Sequence, residues 1–296
     1  MDLIYRFDPF APIQPRRIDD PAAAIKELEE GNHRYQRVVE HVRGMFGESS
    51  KDPLVMPFDP MTFGVAMVDG MSMAQEPFGL VLGCSDARVP TETIFGQDSN
   101  DLFVVRVAGN VLGIECLGSI DYAVGKMPSI KVLVALGHTN CGAVTAAVDM
   151  YLKPTDYPDL GLSHSLRTII DRVMIAVRGA AKALERVGGS KVSHDRGYRA
   201  ALIEVAIYLN AALTAFDLDR RLDRDANRSV AVVYGVFDIT ALTVRTRPEG
   251  PPGTPPDPHL FAAPPSQADA FDQLASEMAY AVIARGAIDK AFLSHY

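Results

Sequence analysis

The chain has 296 residues, 48% hydrophobic and 22% charged, with 29 Lys and Arg against 37 Asp and Glu for a formal charge of −8. That composition excludes a fibrous or wholly disordered chain and leaves room for one large domain or two small ones. The acidic balance disfavours nucleic acid as a partner, because phosphates need a cationic face.

Residues 1–20 read as an irregular arm. They show no basic start followed by a long apolar run, so no secretory leader is expected. Asp20-Pro21 is a helix start, with Asp as N-cap and Pro at the first helical position. Ile25, Leu28, Tyr35, Val39 and Val42 then recur at helical spacing, predicting an amphipathic helix over about 21–43. Gly44 to Pro77 is rich in Pro, Gly, Met and Asp and reads as loop or short helix.

Four short apolar runs follow: Phe78–Gly83, Leu102–Val107, Ile130–Gly137 and Ser229–Phe237. Runs of this length and β-branched content, bounded by Gly, are what strands buried on both faces look like. Ile239–Arg245 alternates apolar and polar residues and suits an edge strand. Helical patterns separate the runs at about 112–127, 141–151, 165–187 and 197–217. The alternation predicts an α/β fold with a mainly parallel central sheet of four to five strands flanked by helices.

Pro248–Pro265 carries eight prolines in eighteen residues and reads as an extended linker, on the surface or free. Ser266 with Asp269 is a capping-box variant ahead of Phe271, Leu274, Met278 and Val282 on one helical face. The division expected is an arm over 1–20, an α/β domain over 21–247 with an enlarged helical insert around 151–198, a Pro-rich linker over 248–265 and a C-terminal amphipathic helix over 266–296. The insert and the C-terminal segment read as peripheral additions. His164 and His194 in the insert are expected to face solvent. No uninterrupted apolar stretch reaches the ~18 residues of a membrane span, so a cytoplasmic protein without a membrane partner is expected. Three cysteines, Cys84, Cys116 and Cys141, are an odd number that does not read as a disulfide framework.

Two polar clusters lie just past the carboxyl ends of predicted strands. In Gly83-Cys84-Ser85-Asp86-Ala87-Arg88, residues 84, 86 and 88 alternate, so an extended backbone would turn them to one side. Gly137-His138-Thr139-Asn140-Cys141-Gly142 leads into a helix. Ligands of open α/β sheets bind at that edge. If the clusters meet, Cys84, His138 and Cys141 offer thiolate and imidazole donors that suit zinc with one open position. Two thiolates would offset the metal's charge, so acidifying a bound water needs help. Asp86, kept ionised and oriented by Arg88, is placed to give it. Taken singly, each residue has a plainer reading: a buried thiol, a core histidine, a surface ion pair. A closed four-ligand site would need Cys116, whose place among Leu112, Ile120 and Ala123 reads as a buried helical thiol.

Jointly, Cys-x-Asp-x-Arg and His-x-x-Cys make the sequence resemble the β-class carbonic anhydrases, with further likeness in TIFGQDSNDLFVVRVAGNV, LGSIDYAV and the opening KELEEGNHRYQ. The resemblance covers residues 20–150 well and 197–245 loosely. It implies one zinc per chain on Cys84, His138 and Cys141, with Asp86 and Arg88 as a catalytic dyad. It also implies substrate contacts from Gln97 and the Gly142 amide. The reaction implied is reversible hydration of CO2 to bicarbonate and a proton, by zinc-bound hydroxide attacking CO2. The implied assembly is a homodimer or higher homo-oligomer, with the N-terminal helix packing across the dimer. Val81 stands where members inhibited by bicarbonate carry a Trp. Two other readings compete: a zinc hydrolase of the same fold acting on COS or CS2, and a non-catalytic zinc protein. The latter has no use for the Asp86–Arg88 pair.

Overall fold

A computed structural model describes residues 3–6, 10, 18–45, 54–57, 70–156, 164–222, 230–255 and 257–288. Its elements, in chain order, are β1 (Leu3–Arg6), α1 (Pro21–Met45), β2 (Leu54–Pro57), β3 (Gly79–Gly83), α2 (Thr91–Ile94), β4 (Leu102–Arg106), α3 (Ile114–Lys126), β5 (Val132–His138), α4 (Gly142–Leu152), α5 (His164–Gly188), α6 (Tyr198–Leu222), β6 (Ala231–Asp238), β7 (Thr243–Arg245) and α7 (Ala268–Ala284). Five strands form one sheet in the order β4-β3-β5-β6-β7, parallel except for the antiparallel edge strand β7.

Strand alternation divides the core between the two sheet faces. Leu80, Leu82, Leu133, Ala135 and Val236 pack under α4, α5, α6 and α7, whereas Val81, Val132, Val134, Leu136 and Phe237 pack under α1 and α2. Asp20 caps α1 as expected, accepting a hydrogen bond from the Ala23 amide at 2.8 Å. The helix lies so close that a Cβ on Gly31 would come 1.7 Å from the Phe95 carbonyl oxygen. Asn32, fully buried, fixes its register: Nδ2 donates to the Ile94 carbonyl at 3.1 Å and Oδ1 accepts from the Val244 amide at 3.2 Å.

Several expectations need correction. β4 is an edge strand and only half-buried, so LFVVR is not covered on both faces. The arm and the loop region each hold a strand, β1 and β2, which pair in parallel from Leu3↔Leu54 to Arg6↔Pro57. Four-residue strands carry little periodicity, and a partner some fifty positions away leaves no local mark. The rest of 46–69 lies outside the described residues.

The insert is not peripheral. α5 packs on α4, α6 and α7 and buries Ile170, Val173, Val177, Leu184 and Val187. His164 and His194 are exposed. The Pro-rich segment is anchored: Leu260 and Phe261 are buried, and Ala262 exchanges two backbone hydrogen bonds with Tyr234 of β6. α7 docks on α5 and α6 of its own chain, burying Met278, Val282 and Ile283. Its N-cap is Gln267, without a side-chain cap bond, so the Ser266 capping box does not form. α6 is long and apolar enough by composition to cross a membrane (mean hydropathy 1.5 over its most apolar window), but 72% of that window is buried here. Its apolarity is that of a core helix lying on β5 and β6.

Candidate metal centre

The strand order positions the site. The chain goes from β3 outward to β4, then returns to place β5 on the other side of β3. Connections from the carboxyl ends of β3 and β5 therefore lead in opposite directions, the switch point at which ligands of open α/β sheets bind. Gly83 is in register with Leu136, so Cys84 and His138 leave the sheet side by side.

Cys84, His138 and Cys141 are all buried, and their ligand atoms lie within 4.8 Å of one another. Among the described residues this is the group of metal-type donors that could hold an ion. His138 Nδ1 lies 2.9 Å from the Thr139 carbonyl oxygen, to which it donates, leaving Nε2 with its lone pair. That Nε2 is buried without a hydrogen-bond partner. An orphaned imidazole nitrogen facing two sulfurs is what a metal donor set requires, and a backbone carbonyl on the far ring nitrogen is the usual orienting contact. Two thiols and one imidazole this close together are a donor set that fits zinc.

The two thiols act on each other. The Cys141 thiol is the strongest influence pulling Cys84 well below the ordinary thiol range, aided against burial by His138 and by the amides of Gly109 and Asp86. The same bond, together with burial, pushes Cys141 up. To ligate a divalent cation both sulfurs would act as thiolates, so metal binding would release protons.

Asp86 stays out of the donor cluster. Its Oδ1 accepts from the Arg88 amide and Nε, both at 2.9 Å, and its Oδ2 from Arg88 Nη2 at 2.7 Å. This pair holds the Asp86 carboxyl below the usual carboxylate range. Oδ2 also lies 3.9 Å from His138 Nε2, at the mouth of the cluster. The backbone is not extended throughout: Val89 N–H closes a turn on the Asp86 carbonyl at 3.0 Å. The turn, rather than strand alternation, brings Arg88 back onto Asp86.

Gly142 opens α4 directly after Cys141, and nothing lies within 4 Å of where its Cβ would be. Gln97 is buried on the α1 side: its Nε2 donates to the Phe95 carbonyl at 2.6 Å and reaches Glu27 at 3.4 Å. Neither of these contacts is with the cluster. Cys116 is half-buried on α3 and not among the clustered donors.

Sequence reasoning missed Arg106. Its Nε donates to the Cys84 carbonyl at 2.9 Å and its Nη2 to the Asp86 carbonyl at 2.6 Å, pinning the turn that carries both residues. The available signal was a lone cation ending an apolar run. It also missed Thr139, whose Oγ1 accepts from the Ile239 amide at 3.1 Å and ties the His138 loop to the segment after β6.

A family model described as "Carbonic anhydrase" matches residues 79–240. The chain is 35% identical over 176 residues to a carbonic anhydrase of Mycolicibacterium smegmatis, covering 59% of this chain and 74% of the relative. It is 39% identical over 129 residues to carbonic anhydrase 2 of Mycobacterium tuberculosis, covering 44% and 53% of the two chains, about half of that relative's length. Among solved structures it is similar to a Coccomyxa β-carbonic anhydrase in complex with acetazolamide, at 20% identity and a TM-score of 0.48, covering 71% of this chain and 84% of that one.

Proposed function

The chain belongs to the β-class carbonic anhydrase family, and we propose that it catalyses reversible hydration of CO2 at a zinc ion held by Cys84, His138 and Cys141, with Asp86 and Arg88 assisting. The observation that carries the zinc site is the buried, unpartnered Nε2 of His138 facing two sulfurs. Bound zinc would supply a water acidic enough to ionise near neutral pH.

The protein's own groups do the rest. Cys84 and Cys141 provide the sulfur donors, and His138 presents Nε2 to the site because its Nδ1–H is committed to the Thr139 carbonyl. Asp86, whose Oδ2 lies 3.9 Å from His138 Nε2, would accept a hydrogen bond from the attacking water and so orient it. Arg88 keeps Asp86 ionised and blocks its rotation into the donor cluster. Arg106 holds the Cys84–Asp86 backbone, so ligand and carboxylate move as one piece. CO2 is small and apolar, and the open space before Gly142 suits it. The Gly142 amide is the backbone donor proposed for the bicarbonate oxygen. Gln97 would join the substrate only by leaving its bonds to Phe95 and Glu27. Homo-oligomerisation belongs to the same proposal, and light scattering on the purified chain should report at least a dimer.

The test is stopped-flow CO2 hydration with a pH indicator, on protein of assayed zinc content, over about pH 6.5–9. Turnover that rises with pH at one zinc per chain is expected. Full zinc with no turnover at any pH would refute CO2 hydration and direct the assay to COS and CS2.

A further inference from the structure

The turn after β4, Ala108–Asn110, places two successive residues in the left-handed region, Gly109 at φ 68° and Asn110 at φ 45°. Glycine accepts that conformation freely and asparagine tolerates it. The turn is held from outside by α6. Asn210 Nδ2 donates to the Gly109 carbonyl at 2.9 Å, and Thr214 Oγ1 to the Asn110 carbonyl at 3.5 Å. The two residues are four apart and so share one face of the helix. Both are more than nine-tenths buried, at 5% and 7% exposure.

Held this way, the turn directs the Gly109 N–H to the Cys84 sulfur at 3.3 Å. A Cβ at 109 would come within 3.0 Å of the Ala143 Cβ, on the helix that Cys141 opens. A polar amide buried in a core helix costs free energy unless it is hydrogen-bonded, and the bond Asn210 makes ends on this peptide segment.

We propose that Asn210 is a positioning residue for the metal centre: through the Gly109 turn it holds an N–H donor on the Cys84 sulfur and so tempers that thiolate as a ligand. The inference rests on the reading of Cys84, His138 and Cys141 as metal ligands. Its physical reason is charge. Two thiolates nearly neutralise a divalent ion, and a hydrogen bond to one sulfur withdraws part of that donation, as hydrogen bonds to metal-bound sulfur do generally.

Cobalt-substituted protein tests it, because thiolate-to-cobalt charge-transfer absorption reports sulfur donation directly. Asn210→Ala should still bind one cobalt per chain at saturation. Its charge-transfer band should move to lower energy, and its metal affinity in chelator competition should shift about tenfold or more. A lowered melting temperature with band and affinity unchanged would make Asn210 a packing residue and overturn the inference. If the variant does not fold, the wild-type protein carries the test. Loaded with a spin-half cadmium isotope, it should show scalar coupling between the metal and the Gly109 amide proton through sulfur, and absence of coupling overturns the inference. A wild-type cobalt spectrum without any thiolate band would refute the ligand set as well. An intact wild-type band with an unmoved variant refutes the role of Asn210 alone.

Discussion

Asp86→Asn separates the catalytic role proposed for the Asp86–Arg88 pair from its structural one. The substitution keeps one oxygen able to accept from the Arg88 amide and Nε, each now at 2.9 Å. It replaces the other oxygen, which takes Arg88 Nη2 at 2.7 Å, by an NH2 group, so donor faces donor. The amide would then rotate or lose Arg88, and in either case the acceptor 3.9 Å from His138 Nε2 is no longer an oriented anion. A positioned proton-handling group typically contributes ~10²–10⁴-fold to rate. The lower bound, a hundredfold, corresponds to ~2.7 kcal/mol in the barrier. The Asp86 and Arg88 side chains are 18% and 54% exposed, so the pair is screened and the melting temperature should move little. Stopped-flow hydration with parallel zinc analysis is the assay. Full zinc with turnover within twofold of wild type would remove Asp86 from the mechanism.

The depressed Asp86 carboxyl also sets an expectation for pH. A folded-state value below the unfolded one, ~3.9 for Asp, gives stability that is present above the unfolded value and lost as pH falls through the folded one. Asp86 is therefore ionised throughout pH 6.5–9, and thermal melts across that range should show no contribution from it.

Cys141→Ala should leave two donors and hold substoichiometric zinc after dialysis against a weak chelator; one zinc per chain would refute its role as ligand. Truncation after Pro248 removes Met278, Val282, Ile283 and Ile288 from the core. At ~1.5–3 kcal/mol for each large side chain, the loss approaches the whole stability of a domain, ~5–15 kcal/mol. The shortened chain should lose its cooperative melt by circular dichroism, and a truncated protein that melts normally and holds zinc would refute the docking of α7. Gly31→Ala would drive a methyl into the Phe95 carbonyl. Because backbone cannot step aside as a side chain can, the cost should reach or exceed the ~1–3 kcal/mol of ordinary overpacking; denaturant titration showing no loss would refute the close seating of α1.

Much of the fold was legible locally. Runs such as IKVLVALG and SVAVVYGVF announce buried parallel strands because both faces demand apolar side chains, and Asp20-Pro21 announces a helix start because the capping chemistry is local. The donor residues were legible for the same reason: Cys84 and Asp86 fall in one turn, His138 and Cys141 in another, and their residue types carry the chemistry. Spacing misled where it assumed an extended backbone, since Arg88 reaches Asp86 through a turn.

What the sequence could not decide was every partnership between distant segments. Strand order alone makes β3 and β5 neighbours, and with them Cys84 and His138. Arg106 and Asn210 matter only because β4 passes the Cys84 turn and α6 the Gly109 turn, at separations that leave no periodic signal. The amphipathic face of α7 was readable, but its cover, α5, was not, because an apolar stripe specifies burial and not what buries it. Composition and periodicity marked the longer elements and the donor residues, whereas packing of those elements chose which groups meet.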